Sequence, residues 1–247
     1  MNPVSSEVVR IPLGAGAGAG PGVPAYRAAP AAGQPVASVL VLSEIWSVNP
    51  NIRNICERLA QNGIVALAPD LYRGAPAPQE SDPAAAITQS FLDYDDARGI
   101  RDGRAFTRWL RAHAPAGVPL YIWGFCMGGR FAHYLGACGE PVAGVVNFYG
   151  RLVFDRQPNK PFIPMDFADL IEVPYLGLFG EFDPIVPERD VETLRAKFLA
   201  RGHSHRLQVF KGAEHAFFNQ TRASYNAAAA ATAWDITLNF FVNGSLD

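Results

Sequence analysis

Apolar residues in this chain form short runs that alternate with stretches of helical spacing. The run at residues 36–42 is nearly continuous in apolar side chains, as expected of a strand buried on both faces of a parallel sheet. After it, Ile52, Ile55 and Leu59 recur at intervals of three and four, which predicts an amphipathic helix that stops at Asn62 and Gly63. Further strands are predicted at 64–68, 119–123, 142–147, 175–179 and 206–210, and further helices at 91–109, 129–135, 188–199 and in an Ala-rich terminal stretch that ends near residue 242.

Strands separated by helices indicate right-handed βαβ crossovers, and therefore an α/β fold with a doubly wound, mostly parallel sheet flanked by helices. Nothing in the pattern marks a boundary, so we expect a single domain over residues 1–247. Residues 1–35 predict an N-terminal hairpin, with strands at 7–11 and 23–27 joined by the flexible Gly/Ala-rich segment 14–22. That segment has no helix pattern after it, which argues against a phosphate loop. Residues 149–172 predict an excursion over the top of the sheet.

Composition narrows the classes of partner. The chain of 247 residues is 49% hydrophobic and 18% charged, with a formal net charge of -2, so it lacks the basic excess that binds nucleic acid or anionic membranes. Three cysteines favour reduced thiols and a cytoplasmic protein, and no apolar run is long enough to span a bilayer. No His/Cys cluster has metal-ligand spacing, so a metal is not predicted.

Four predicted strands are followed by reactive side chains, namely Glu44, Cys126, Asp183 and His215. In a parallel sheet the carboxyl ends of the strands lie at the edge where ligands bind. Cys126 stands between Gly124 and Gly128, a spacing typical of a sharp strand-to-helix turn that exposes a nucleophile. The chain order of nucleophile, acid and histidine is that of the α/β-hydrolases.

Acyl transfer would give these groups distinct roles. His215 is the candidate base for Cys126, and Asp183 would fix the imidazole ring and balance its charge. The dipole of the following helix would favour the thiolate.

Backbone N–H groups of Met127 and Ile45 are the candidate oxyanion donors. Glu44 would oppose ionisation of a nearby thiol, so it is either a second proton acceptor or misplaced.

Simpler structural roles remain open for each residue. Cys126 could be a small buried hydrophobe, His215 a surface histidine, Asp183 a turn former and Glu44 a salt-bridging loop residue. Cys56 and Cys138 are expected to be structural. The remaining histidines are expected to be packed or solvated rather than catalytic, and these are His113, His133, His203 and His205.

Five motifs together resemble the dienelactone hydrolase family over nearly the whole chain. They are SEIWSVN (43–49), APDLY (68–72), GFCMGG (124–129), GEFDP (180–184) and GAEHAF (212–217). The resemblance implies a cofactor-free cysteine hydrolase with a Cys-His-Asp triad, which cleaves cyclic enol-lactones to open-chain acids such as maleylacetate. It also implies that Glu44 holds or accepts the thiol proton when substrate arrives.

The family pattern includes two arginines that bind the substrate carboxylate. Arg73 matches the first after a one-residue shift, but Asn219 stands at the second position. Trp46 and Ser47 stand where the family commonly has Phe-Gly. The segment 151–169 carries Arg156 and Lys160, so a different carboxylate or a neutral ester could be preferred.

The sequence thus predicts a hydrolase of a small-molecule lactone or ester, as a monomer or homodimer. Trp46, Tyr149 and Phe217 would line the pocket, although aromatic residues at strand ends are commonly core. Thioesterase or other acyl-transfer chemistry, and a catalytically silent scaffold used for binding, remain as alternatives.

Overall fold

The computed structural model describes residues 2–14 and 22–247. Two compact units are present in it. The first comprises Met1–Leu120 and Arg156–Phe162, and the second comprises Tyr121–Asp155 and Ile163–Asp247. The expectation of a single domain stays a prediction.

The described residues of the first unit form four strands and three helices. Strands β1 and β2 pair in antiparallel fashion as the predicted hairpin, β2 pairs with β4 antiparallel, and β3 pairs with β4 parallel. The Gly/Ala-rich turn at 15–21 lies outside the described residues. The elements are β1 (Val4–Ile11), β2 (Val23–Pro30), β3 (Ala37–Leu42), α1 (Pro50–Gln61), β4 (Ile64–Pro69), α2 (Ala84–Asp93) and α3 (Asp96–His113).

Helix α1 follows the spacing of three and four between apolar residues that predicted it. Its first turn is capped by the Asn49 side chain, which accepts a hydrogen bond from the backbone N–H of Ile52 at 3.0 Å. Its apolar residues Ile52, Ile55 and Leu59 are buried, and the chain leaves the helix through Gly63 at a φ of 80°. Sequence and structure therefore agree on this element.

The continuous helix predicted at 91–109 is wrong, because the chain forms two helices there. Tyr94 is extended and ends α2, while the Asp95 side chain caps α3 by accepting from the N–H of Arg98 at 3.2 Å. The local cap outcompetes continuation of the helix because it satisfies an otherwise unpaired N–H group.

Part of the long excursion belongs to the first unit. Lys160 is fully buried, and its ammonium donates to the Tyr94 carbonyl at 2.7 Å and lies 3.5 Å from Asp96 Oδ1. Burial of a lysine requires such partners, since an unpaired charge would be costly to desolvate. Lys160 thus fastens residues 156–162 to the start of α3 rather than presenting a charge to substrate.

The second unit contains strands β5 to β8, which are parallel and adjacent in that order. Its core is aromatic: the ring centroid of Trp123 lies 5.1 Å from Phe148 and 5.6 Å from Phe241. The elements are β5 (Leu120–Phe125), α4 (Met127–Ala137), β6 (Gly144–Phe148), α5 (Pro164–Phe167), a 3₁₀ turn (Ala168–Leu170), β7 (Tyr175–Gly180), α6 (Glu188–Ala200), β8 (His205–Phe210) and α7 (Ala227–Asn243).

Strands that alternate with helices and pair mostly in parallel confirm the predicted α/β class. Helix α4 begins at Met127, two residues earlier than predicted, and the short α5 was not predicted. Among residues 2–14 and 22–247, no helix has the length and apolar character needed to cross a bilayer.

Candidate active site

Cys126 occupies the turn between β5 and α4, with φ 51° and ψ −108°. This backbone conformation is strained for a residue with a side chain. A β-carbon on Gly124 would collide with the carbonyl oxygen of Gly128, so the turn can close this tightly only with glycine. The N–H of Cys126 donates to the Phe148 carbonyl of β6 at 3.0 Å. The predicted strand–turn–helix geometry is therefore present, and the half-buried sulfur lies at the start of α4.

Asp183 lies on the loop after β7 and is almost fully buried. Its Oδ1 accepts hydrogen bonds from the N–H groups of Ile185 at 2.8 Å and Val186 at 3.1 Å. Its Oδ2 accepts from Nδ1 of His215 at 2.7 Å. The loop hydrogen bonds orient the carboxylate, which in turn orients the imidazole.

His215 is subject to opposing influences on its pKa. Burial alone would lower it, but the negative charge of Cys126, and the hydrogen bond and charge of Asp183, raise the pKa of His215 to about 10. Its Nε2 atom is buried and makes no hydrogen bond of ordinary geometry to the described residues. The sulfur of Cys126 is close enough for its charge to act on the ring. The structure thus brings Cys126, His215 and Asp183 together.

Tyr149 and Phe217 pack behind this group. Both side chains are fully buried. The Tyr149 ring lies edge-on to His215, with ring centroids 5.2 Å apart, and its centroid is 5.5 Å from that of Phe217. Tyr149 has a φ of 42°, and its N–H donates to the Leu178 carbonyl at 2.9 Å. Full burial favours the core alternative for both rings over direct contact with substrate.

The segment after β3 carries Glu44, Ile45 and Trp46 within the first unit. Glu44 and Ile45 are buried, and Trp46 is half-buried. Ser47 has a φ of 59°, and its hydroxyl donates to Asp70 Oδ1 at 2.7 Å. The positive φ explains why glycine would suit this position, and the hydrogen bond shows how serine is held there. The roles of Glu44, Ile45 and Trp46 toward substrate stay predictions.

Arg73 forms a bidentate ion pair in the first unit. Its Nε donates to Asp102 Oδ2 at 2.8 Å and its terminal nitrogen to Oδ1 at 2.5 Å. The hydrogen bond to Asp102 raises the pKa of Arg73. The guanidinium is therefore already engaged, although the side chain is 39% exposed. Its proposed contact with substrate stays a prediction.

Asn219, at the second arginine position of the family pattern, is fully buried. Its Oδ1 accepts from the N–H of Thr221 at 3.0 Å and from the Thr221 hydroxyl at 2.8 Å. The residue therefore organises its own turn.

Sequence reasoning missed a buried relay of hydrogen bonds under the turn after β6. Because the Pro164 carbonyl only accepts, Nε2 of His133 carries the proton and donates to it at 2.9 Å. Tyr175 then donates to His133 Nδ1 at 3.0 Å, and Asn147 donates to Tyr175 at 2.8 Å. Asn147 Oδ1 accepts from the N–H of Gly150 at 2.8 Å. Burial lowers the pKa of His133 to about 4. Only tertiary contacts reveal this relay, since its members are scattered along the chain.

The other cysteines differ in their surroundings. Cys56 is buried on α1, as expected of a structural residue, and burial raises its pKa, whereas Cys138 at the end of α4 is exposed. Within the described ranges, no group of three or more His, Cys, Asp or Glu side chains could hold a metal ion.

Comparisons with known proteins agree with this architecture. The model of the "Dienelactone hydrolase family" matches residues 23–245. A "Putative carboxymethylenebutenolidase" of Escherichia coli K12 is 34% identical over 224 residues, which cover 90% of this chain and 83% of the relative. A "Probable 2-oxo-3-(5-oxofuran-2-ylidene)propanoate lactonase" of Bradyrhizobium is 32% identical over 216 residues. The match covers 87% of this chain and 86% of that relative.

Among solved structures, a "Putative Dienelactone Hydrolase" from Klebsiella pneumoniae superimposes with a TM-score of 0.88 at 33% identity, covering 98% of this chain and all of that one. This likeness confirms the predicted α/β-hydrolase fold. The chain therefore belongs to the dienelactone hydrolase family and is a hydrolase that acts on lactone or ester bonds.

Proposed function

We propose that this chain is a cytoplasmic, cysteine-dependent lactone or ester hydrolase that works through a Cys126–His215–Asp183 triad and an acyl-enzyme intermediate. The observation that carries the proposal is the hydrogen bond by which Asp183 holds Nδ1 of His215 at 2.7 Å. The influence of the Cys126 charge on the pKa of the same ring supports it. The names of two relatives, a carboxymethylenebutenolidase and a lactonase, support lactones as the first substrates to test.

In the first half of the reaction, the Cys126 thiolate attacks the carbonyl carbon and an S–C bond forms. The ring C–O bond then breaks, and the leaving oxygen takes the proton from Nε2 of the His215 imidazolium. A pKa of about 10 keeps that proton available at neutral pH. In a lactone the leaving oxygen remains attached to the acyl chain, so the intermediate is a ring-opened thioester.

In the second half, a water molecule gives its proton to His215 and attacks the thioester carbon. The S–C bond breaks, its electron pair returns to sulfur, and the free acid leaves. Asp183 stays ionised throughout and balances the imidazolium charge. The cycle therefore ends with the imidazolium and thiolate with which it began.

The negative charge that develops on the carbonyl oxygen in both steps must be stabilised by hydrogen-bond donors. We assign one to the N–H of Met127, the first residue of α4, because the first N–H groups of a helix have no acceptor within it. We assign the second to Ile45 and the role of thiol activator to Glu44, on the family pattern.

The test is turnover of a panel of lactones, activated esters and thioesters by the wild-type chain and by Cys126→Ala. We expect lactone turnover to fall by at least about 10³-fold in the variant, and mass spectrometry to find an acyl group on Cys126 of the wild type. Cys138→Ala is the matched control and should keep full activity.

Full turnover by Cys126→Ala would overturn the cysteine mechanism. Faster turnover of thioesters than of lactones would instead identify a thioesterase, and no turnover of the whole panel would favour a binding scaffold.

A further inference from the structure

We propose that Arg151 recognises a carboxylate on the substrate next to Cys126, so that the enzyme selects anionic lactones or esters. The inference deepens the function proposed above and rests on it. It is carried by the position of Arg151 on the turn after β6 and by the terminal nitrogens of its guanidinium.

The turn after β6 lies directly against the turn that holds Cys126. The Phe148 carbonyl at the end of β6 accepts the hydrogen bond from the N–H of Cys126. Two residues later, a β-carbon on Gly150 would collide with the backbone of Gly129 and Arg130 in the first turn of α4. The backbone just before Arg151 therefore lies beside the start of α4.

The Arg151 side chain is held in place by some of its contacts, but not all of its hydrogen-bond donors are used. Gly150, the residue before it, is fixed by the buried relay through Asn147. Nε of Arg151 donates to the Val153 carbonyl at 3.1 Å, and the guanidinium lies 5.7 Å from the centre of the Phe154 ring. Its two terminal nitrogens make no hydrogen bond or ion pair with another described residue. These nitrogens are the donors that bind a carboxylate in bidentate fashion.

The electrostatic surroundings favour an incoming anion. Arg130 packs against the same Phe154 ring at 5.4 Å, so two guanidinium groups share one aromatic side chain. Partial burial and the charge of Arg130 lower the pKa of Arg151, while the charges of Asp155, Asp190 and Cys126 oppose that shift. Cys126 and Arg151 therefore act on each other through their charges. A carboxylate bound by Arg151 would also offset the mutual repulsion of the two guanidinium groups.

In this assignment, Arg151 supplies the positive charge that the family pattern has at the position of Asn219. A carboxylate-bearing substrate is repelled by the Cys126 thiolate unless a positive group compensates it. Asn219 is buried and serves its own turn. Arg151 offers the positive charge in the same unit as Cys126 from another loop.

The kinetic test compares carboxymethylenebutenolide with its primary amide, which is neutral and nearly isosteric. For Arg151→Gln we expect KM of the acid to rise by about 10- to 100-fold, with kcat within about threefold and the amide unaffected. Arg101→Gln is the matched control, because it removes the same charge from an exposed side chain on α3. An equal effect of Arg151→Gln on acid and amide, or none on either, would overturn the assignment.

A second test needs no hydrolysis. Iodoacetate and iodoacetamide alkylate a thiolate by the same step, in which the S–C bond forms and iodide leaves with the C–I electron pair, but only iodoacetate is anionic. We expect Arg151→Gln to lower the iodoacetate-to-iodoacetamide rate ratio at Cys126 by about fivefold or more. The ratio at exposed Cys138, read by peptide mass spectrometry in the same sample, should not change.

An unchanged ratio at Cys126 would overturn anion recognition by Arg151. If the wild type opened no lactone while the ratio still depended on Arg151, the hydrolase proposal would fail and anion recognition would stand.

Discussion

Asp183 holds His215 with one carboxylate oxygen and its own loop with the other. Oδ2 accepts from His215 Nδ1 at 2.7 Å, while Oδ1 accepts from the N–H groups of Ile185 and Val186. The orientation of the imidazole therefore depends on the loop after β7, and the two functions of the carboxylate can be separated by substitution.

Asp183→Asn is expected to lower kcat by about 10²- to 10⁴-fold with little loss of stability. The amide oxygen can keep both loop hydrogen bonds, but its NH₂ group would face Nδ1 and force the wrong tautomer of His215. Steady-state kinetics and urea unfolding measure the two effects. Asp169→Asn, which removes an exposed carboxylate paired with Lys197, is the control and should retain activity. Undiminished kcat in Asp183→Asn would contradict the orienting role.

Cys126→Ala is expected to lower the pKa of His215. Burial disfavours the imidazolium, and the thiolate charge is the strongest influence that opposes burial. In the wild type the imidazolium is lost only as pH rises through about 10, so kcat/KM should decline in that range. Titration of the imidazole by NMR in both proteins measures the shift. Identical titration curves would show that the sulfur and the ring do not interact.

His133 is expected to make folding sensitive to moderate acid. Its pKa is about 4 in the folded protein and 6.5 in the unfolded chain, so the unfolded chain binds more protons between these values. Its contribution is complete above pH 6.5 and is lost as pH falls toward 4, by about 3 kcal/mol in all. Urea unfolding at several pH values should show a smaller loss over this window for His133→Phe than for the wild type. Equal slopes in the two proteins would contradict this assignment.

Gly124→Ala is expected to destabilise the protein by about 3 kcal/mol or more and to abolish alkylation of Cys126. The added methyl group would collide with the backbone of Gly128 and displace the turn. Gly139→Ala is the matched control, since it has a φ of 66° but open space around it, and should cost only about 1 kcal/mol. Similar losses in both variants would show that the collision is relieved elsewhere.

Local pattern was sufficient for much of this protein. Continuous apolar runs and a spacing of three and four fix strands and helices because burial of apolar surface dominates folding, as α1 shows. The glycines around Cys126 determine their turn by a steric requirement that any fold would impose. The order of Cys126, Asp183 and His215 pointed to one site because parallel strands present their carboxyl ends at one edge.

Long-range contacts decided what local pattern could not. The break between α2 and α3 depends on which of several neighbouring acids caps a helix, and Lys160 reads as a surface charge until its partners near residue 95 are seen. In the same way, only the structure shows that Tyr149 and Phe217 are fully buried and that Arg151 lies against the Phe154 ring. The sequence by itself determined the fold class and the strand–turn–helix geometry around Cys126, and it predicted that Asp183 orients His215. Only the tertiary structure decided which charges and rings are buried, because burial depends on neighbours that are distant in the chain.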